Sequence, residues 1–302
     1  MKILICDKTE PEAIQCMRQA GIQVDVLDNI SAEELPKVLP AYDGMVVRSR
    51  TKVRAALIDA CPNLKVIVRG GIGLDTIDTD YARSKGITVM NTPKASSASV
   101  AELTIGFMFA MARQIPTTTS SMKAGKWEKK KFEGDEIGGK TLGVIGFGNI
   151  GCEVAKRALA LGMTVLAYDV YEPKLEGVKR VTVDELLSRS DYITLHLPLT
   201  DETHNLIGAA EFAKMKPGVR LINCARGGVV DENALYDAIV SSKVAGAALD
   251  VFAQEPSEGH RLFNLEQVIG SPHIGAATKE AQSRIGAEVA KKIIEFYNSR
   301  PD

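Results

Sequence analysis

Residues 141–151, TLGVIGFGNIG, decide how the rest of the chain is read. The apolar run TLGVI passes directly into Gly146-Phe147-Gly148-Asn149-Ile150-Gly151, and then into a helical pattern. On that helix Ile150, Val154, Ala158 and Leu161 recur at helical spacing, with Glu153, Lys156 and Arg157 on the other side. A second β-rich run, TVLAYD, ends in Asp169, 23 residues beyond Gly146. Strand, glycine turn, amphipathic helix, strand and terminal acid are the parts of a dinucleotide-binding βαβ unit. Gly146 permits the tight turn, Gly148 lets the backbone approach a pyrophosphate, and Gly151 lets helix pack closely on strand. The helix N-terminus supplies amide donors to the phosphates. Asp169 would accept hydrogen bonds from the adenosine ribose hydroxyls, and its charge repels a 2′-phosphate. NAD is therefore favoured over NADP. A bare GxGxxG is a weak signal; the correct offsets around it make this one specific.

The same βα rhythm runs in both directions. Downstream come YITLHLP, VRLINCA, VAGAALDVF and QVIGSPHIG; upstream come KILIC, a helix from about Pro11, VDVLD, GMVVR, a helix around 53–60, KVIVRG and ITVMN. A long helix is predicted from about Ser99 to Arg113, and the chain closes on the helical pattern KEAQSRIGAEVAKKIIEFYN. Such alternation predicts an α/β protein with two doubly wound parallel halves. The first half has no glycine loop after KILICD, so it binds something other than a dinucleotide. The polar stretch KAGKWEKKKFEGDEIGGK reads as an exposed arm, with Lys129, Lys130 and Lys131 on a solvated face.

Thirty-seven basic against thirty-eight acidic residues leave a net charge of −1, which argues against a nucleic-acid or anionic-membrane surface. Cys6, Cys16, Cys61, Cys152 and Cys224 are odd in number and form no CxxC pair. They read as reduced thiols of a cytoplasmic protein, not as a disulfide framework or zinc knuckle. The opening MKILICD is too short and too soon charged for a signal peptide, and LTIGFMFAMA is too short to span a membrane.

An alcohol that gives up a hydride needs a base for its proton and a cation for its oxygens. His204 and His260 lie in polar, loop-like stretches and read as exposed. His196 and His273 each follow an apolar run, and periodicity does not choose between them. A metal bound by Asp250, Glu255 and His273 has no compact ligand spacing to support it; no metal is expected. At the end of GMVV, the stretch RSRTKV places Arg48, Arg50 and Lys52 at alternate positions. If the strand runs on, Arg48 and Arg50 share a face.

NCARGGVVDE (223–232), ALDVFAQEP (248–256) and SPHIGAAT (271–278), with GFGNIG before them, resemble the signature blocks of the D-isomer-specific 2-hydroxyacid dehydrogenases, and the resemblance covers essentially the whole chain. It implies a flavodoxin-like substrate-binding domain (1–95 plus 277–302), a Rossmann NAD-binding domain (96–276) and a cleft between them. It implies a catalytic trio, with His273 as acid/base, Glu255 orienting it and raising its pKa, and Arg226 holding the substrate's oxygens. The cofactor contacts it carries over are Ile72, Asn149, Ile150, Leu197, Pro198, Cys224, Ala225, Arg226, Asp250, His273, Ile274, Gly275 and Ala276, beside the glycines and Asp169. The arm around Trp127 resembles the family's dimerisation segment, so a homodimer is expected.

Within the family, VRGGIGLDTID (68–78) resembles the loop that binds the α-carboxylate, with Gly71 and Ile72 as candidates. RSRTKV is more similar to the corresponding stretch of D-3-phosphoglycerate dehydrogenases than to that of simple glyoxylate or lactate reductases. That implies a phosphate on Arg48, Ser49 and Arg50, and NAD-dependent oxidation of D-3-phosphoglycerate to 3-phosphohydroxypyruvate, the first step of L-serine synthesis. Lys52 is left without a role. A hydroxypyruvate/glyoxylate reductase and an NAD-sensing corepressor share the same parts and are the alternatives. Lys94 stands where the family's NTPGASS-type hinge has glycine. Many D-3-phosphoglycerate dehydrogenases run on into C-terminal domains that bind serine, whereas the sequence here stops at Asp302; no serine feedback through such a domain is expected.

Overall fold

The computed structural model describes residues 1–172 and 174–299. Residues 300–302, assigned above to the first domain, lie outside the described residues. The chain divides into two compact units, Met1–Ser96 with Ala276–Asp302, and Ser97–Gly275. Each is an α/β unit built on a wholly parallel sheet.

In the first unit the strands are β1 (Lys2–Ile5), β2 (Gln23–Val26), β3 (Gly44–Val47), β4 (Val66–Arg69) and β5 (Thr88–Asn91), ordered β2-β1-β3-β4-β5. KILI, GMVV and VIVR are almost uninterrupted apolar runs because helices cover both faces of the sheet. Winding reverses between β1 and β3, and at such a switch point the carboxyl ends of the strands open onto a ligand crevice. The closing helix Lys279–Asn298 is capped by Thr278, whose hydroxyl accepts the Ala281 amide at 3.1 Å. Its Ile285, Val289 and Ile293, four residues apart, are buried in one core with Ile3, Ile5, Val24 and Val68. Burying each such side chain is worth about 1.5–3 kcal/mol.

The second unit carries β6 (Thr141–Ile145), β7 (Thr164–Tyr168), β8 (Val178–Arg180), β9 (Tyr192–Leu195), β10 (Val219–Asn223), β11 (Val244–Leu249) and β12 (Val268–Gly270). Their order, β12-β11-β10-β9-β6-β7-β8, is the Rossmann 3-2-1-4-5-6 arrangement with a seventh strand added. Here the winding reverses between β6 and β9. The long helix runs Ser97–Ala112. A further helix, Ile115–Lys123, buries no residue, and so offers no apolar stripe to read in the sequence. The arm beyond it leaves Trp127 79% exposed. Among the described residues no helix is long and apolar enough to cross a membrane, and no cluster of His, Cys, Asp and Glu is arranged to hold a metal.

Candidate active site

At the switch point of the second unit, β6 ends in Gly146, whose φ of +91° belongs to the left-handed region. A Cβ there would lie 2.5 Å from the His196 carbonyl oxygen, so the turn is closed to any other residue. A Cβ on Gly151 would run into the Gly146 carbonyl, whereas one on Gly148 would meet nothing within 4 Å. The glycines thus leave open space in front of the helix Asn149–Ala160, whose first-turn amides have no intrahelical acceptor. Asp169 steadies this loop: one carboxylate oxygen accepts the Phe147 amide at 2.5 Å, the other the Tyr171 amide at 2.9 Å. A carboxylate has about four lone-pair sites, so acceptor capacity remains for ribose hydroxyls. A cradle, a helix N-terminus and an acid at this spacing fit a dinucleotide.

Beyond the carboxyl ends of β10, β11 and β12, neighbours in the sheet, lie the loops that carry Arg226, Glu255 and His273. Adjacent parallel strands deliver their ends side by side, which is how residues dispersed in sequence meet. His273 Nδ1 lies 2.8 Å from Glu255 Oε2, and Glu255 Oε1 accepts the Phe252 amide at 3.1 Å. Of the two histidines left open by periodicity, His273 is the one beside a carboxylate. Its backbone is left-handed (φ +54°). That conformation is enforced by Asp250, 1% exposed, which accepts the Ser271 hydroxyl at 2.5 Å and the Ile274 and Gly275 amides at 2.8 Å each. Asp250 therefore grips the residues on both sides of His273. Arg226 is held by Asn223, whose side chain donates to the Arg226 carbonyl at 2.9 Å and accepts the Ala225 amide at 3.0 Å. Gly227 comes so close to the Phe252 carbonyl that a Cβ would overlap it, packing the Arg226 loop onto the Glu255 loop.

Around this centre, Leu197 and Pro198 follow β9 and are more exposed than the strand, while Cys224 and Ala225 are buried. Burial pushes the Cys224 thiol up to about 12, which favours the neutral thiol over the thiolate. His260, expected in an exposed loop, is instead 21% exposed, with Nε2 2.9 Å from Glu232 Oε2. The other oxygen of Glu232 accepts the Ala253 amide at 2.8 Å and so supports the Glu255 loop.

His196 bonds through Nε2 to the Thr194 hydroxyl at 2.9 Å, and its buried Nδ1 has no hydrogen-bond partner among the described residues. The residue keeps some exposure, but the enclosed ring favours the neutral form, and burial pushes its pKa down to about 3 from 6.5. The unfolded chain then takes up a proton near pH 6.5 that the folded chain refuses until about pH 3. Stability falls as pH drops through that window, by up to about 1.4 kcal/mol per pH unit from this group. His196→Asn is expected to flatten the pH dependence of urea unfolding between pH 6 and 4. An unchanged slope would show that the ring is solvated.

In the first unit, β3 stops at Val47 and the chain bends, so Arg48 and Arg50 do not share a face as an extended run requires. The bend is pinned by Asp7, which accepts the Arg48 amide at 2.6 Å and the Thr51 hydroxyl at 3.0 Å. Arg50 turns back onto the sheet end: Nε pairs with Asp7 at 3.0 Å, while its terminal nitrogens donate to the Cys6, Asp28 (2.9 Å) and Ile30 (2.7 Å) carbonyls. Arg48 instead donates to Gln282 Oε1 at 2.6 Å. Ser49 is exposed and its hydroxyl accepts Arg69 Nη2 at 3.3 Å.

The Gly71 amide donates back to the Arg69 carbonyl at 2.9 Å, whereas the Ile72 amide has no acceptor among the described residues. Ile72 is held by Asn91, which donates to its carbonyl at 2.5 Å. Arg69 lies buried beneath this loop and donates to the Gly73 carbonyl at 2.5 Å. Lys94 is exposed. Arg69, Asn91, Asn223 and Glu232 were not singled out from the sequence. Only Arg69 carried a signal, a cation closing an apolar strand, the same signal that singled out Arg48.

A family model described as "D-isomer specific 2-hydroxyacid dehydrogenase, NAD binding domain" matches residues 105–275. A D-3-phosphoglycerate dehydrogenase of Archaeoglobus fulgidus is 49% identical over 100% of this chain and 58% of its own length. A hydroxypyruvate reductase of Thermotoga maritima is 49% identical over 97% of both chains. The chain thus spans a little over half the length of the first of these relatives and nearly all of the second. Among solved structures, D-lactate dehydrogenase from Aquifex aeolicus, complexed with NAD and lactic acid, superposes with a TM-score of 0.86 at 32% identity, over 99% of this chain and 96% of that one.

Proposed function

Because the chain belongs to the D-isomer-specific 2-hydroxyacid dehydrogenases and its second unit is their NAD-binding domain, we propose that it oxidises D-3-phosphoglycerate to 3-phosphohydroxypyruvate, the first step of L-serine synthesis. NAD would supply, when bound, the acceptor for the hydride that leaves C2 of the substrate. Gly146, Gly148, Gly151 and the helix N-terminus behind them would hold its pyrophosphate, and Asp169 its ribose. His273 takes the C2 hydroxyl proton. With Nδ1 directed at Glu255, the Nδ1–H tautomer is favoured, leaving Nε2 as the acceptor. Arg226 holds the carboxylate and the oxygen that becomes a carbonyl, a task suited to a planar fork of donors. Ile72, with its unengaged amide, takes the α-carboxylate in preference to Gly71.

The observation that carries the choice of substrate is Arg48. Its guanidinium has no carboxylate partner among the described residues, so its charge is available to a phosphate. Ser49 would add a hydrogen bond. Arg50 would have to release Asp7 and three carbonyls to join them, which gives it the smaller share. Oxidation or reduction of an unphosphorylated acid, as in a hydroxypyruvate reductase, is the second reading. It is favoured by the full-length match to the Thermotoga relative and by the internal engagement of Arg50. The exposed helix Ile115–Lys123 and Trp127 are the surface we assign to a second copy of the chain.

Measuring kcat/KM for 3-phosphoglycerate and glycerate with NAD separates the readings. A charge-assisted contact is worth about 1.5–3 kcal/mol, so the phosphorylated acid is expected to be preferred by on the order of 10- to 100-fold, and Arg48→Ala to remove most of that preference. Equal efficiencies in the unaltered protein would favour the second reading.

A further inference from the structure

We infer that Gln282 is a positioning residue for substrate selection: it aims the Arg48 guanidinium at an anion without neutralising it. The inference rests on the phosphate-binding role proposed for Arg48. Gln282 sits in the first turn of the closing helix, where its amide nitrogen donates to the Ala276 carbonyl at 2.6 Å and its oxygen accepts Arg48 Nη1 at 2.6 Å. These two contacts admit one orientation of the side-chain amide, because a carbonyl only accepts and a guanidinium only donates. On its other flank the arginine lies against Gly70, where a Cβ would come within 3.2 Å of Arg48 Cδ.

The chemical identity of the partner matters as much as its place. A carboxylate at residue 282 would still accept from the arginine but would cancel its charge, and it could not donate to the Ala276 carbonyl; a neutral amide makes both contacts, fixes direction and leaves the full positive charge for a ligand. The acids close to Arg48 do not cancel it either. Asp7 is engaged with the Arg48 and Thr51 amides, the Thr51 hydroxyl and Arg50, and Glu10 lines the same wall without forming an ion pair with Arg48.

The test compares 3-phosphoglycerate with glycerate in the unaltered protein, Arg48→Ala, Gln282→Glu and Gln282→Leu. Gln282→Glu is near-isosteric and adds the cancelling charge; it also loses the donor to the Ala276 carbonyl, a loss that Gln282→Leu shares and so controls for. It is expected to raise KM for 3-phosphoglycerate about tenfold or more, while kcat/KM for glycerate stays within about twofold. Gln282→Leu, which frees the guanidinium without cancelling it, is expected to fall between Gln282→Glu and the unaltered protein. Loss of both substrates in equal proportion would mark Gln282 as merely structural and overturn the inference. So would an unchanged substrate ratio in Gln282→Glu when Arg48→Ala abolishes it; that outcome leaves the Arg48 reading intact. No phosphate preference in the unaltered protein would overturn both.

Discussion

Replacing His273 with alanine is expected to lower kcat by on the order of 10²- to 10⁴-fold, the range over which a positioned acid/base contributes, while NADH binding followed by fluorescence changes by no more than about threefold. The two readouts separate because different groups support them. The 271–275 loop is held by Asp250 through the Ser271 hydroxyl and the Ile274 and Gly275 amides, with no part played by the imidazole. Removing the ring leaves the backbone clamped and Glu255 still bonded to the Phe252 amide. His273→Asn belongs in the same experiment, because asparagine tolerates the left-handed backbone at φ +54° better than alanine does. If both variants turn over at the unaltered rate, His273 is not the proton acceptor. NADH binding without dehydrogenase activity in the unaltered protein would favour a cofactor-sensing role.

Gly227→Ala is expected to be the most damaging small substitution in the second unit. The added methyl would overlap the Phe252 carbonyl, and the obstacle is backbone, so no rotamer relieves it. Nor are the two loops free to part: Asn223 ties down residues 225 and 226, and Glu232 ties down Ala253. Overpacking of this kind costs about 1–3 kcal/mol, occasionally more. In the fraction that remains folded, a shift of Arg226 by about 1 Å can cost about 10²-fold in rate. Thermal denaturation and kinetics well below Tm would measure the two losses separately. Gly106→Ala is the control, since a Cβ there meets nothing within 4 Å on an exposed face of the helix Ser97–Ala112; no loss of stability is expected. A Gly227→Ala protein with unaltered Tm and rate would show that the close approach is no constraint.

What the sequence disclosed follows from how local each signal is. The glycine loop, its helix and Asp169 occupy one unbroken βαβ stretch, so their offsets alone expose them. The closing helix is equally plain, because its buried residues recur every four positions. Strand β8 escaped because Val-Lys-Arg is a short edge strand, largely exposed, and carries no apolar run. Arg226, Glu255 and His273 stand on three separate strand ends and share no period; they were named through a family resemblance. Arg50 shows the limit most clearly. Its charge was legible, but its partner Asp7 sits 43 positions away at the end of another strand, and that partner decides where the charge goes. Gly227 is illegible for the same reason, since the carbonyl it must clear belongs to Phe252.

The first unit is assembled from the two ends of the described chain, with Ile285, Val289 and Ile293 of the closing helix packed among Ile3, Ile5 and Val24. Its core cannot close during synthesis until the intervening residues 97–275 have emerged. At about 5–20 residues per second that wait is on the order of 10–40 s. Meanwhile the β1–β5 sheet exposes the apolar face that the last helix will cover, whereas the second unit is continuous in sequence and folds as it appears. Loss of the closing helix would therefore leave an incomplete first unit attached to a well-folded second one, a species that chaperones and proteases would recognise by that uncovered sheet.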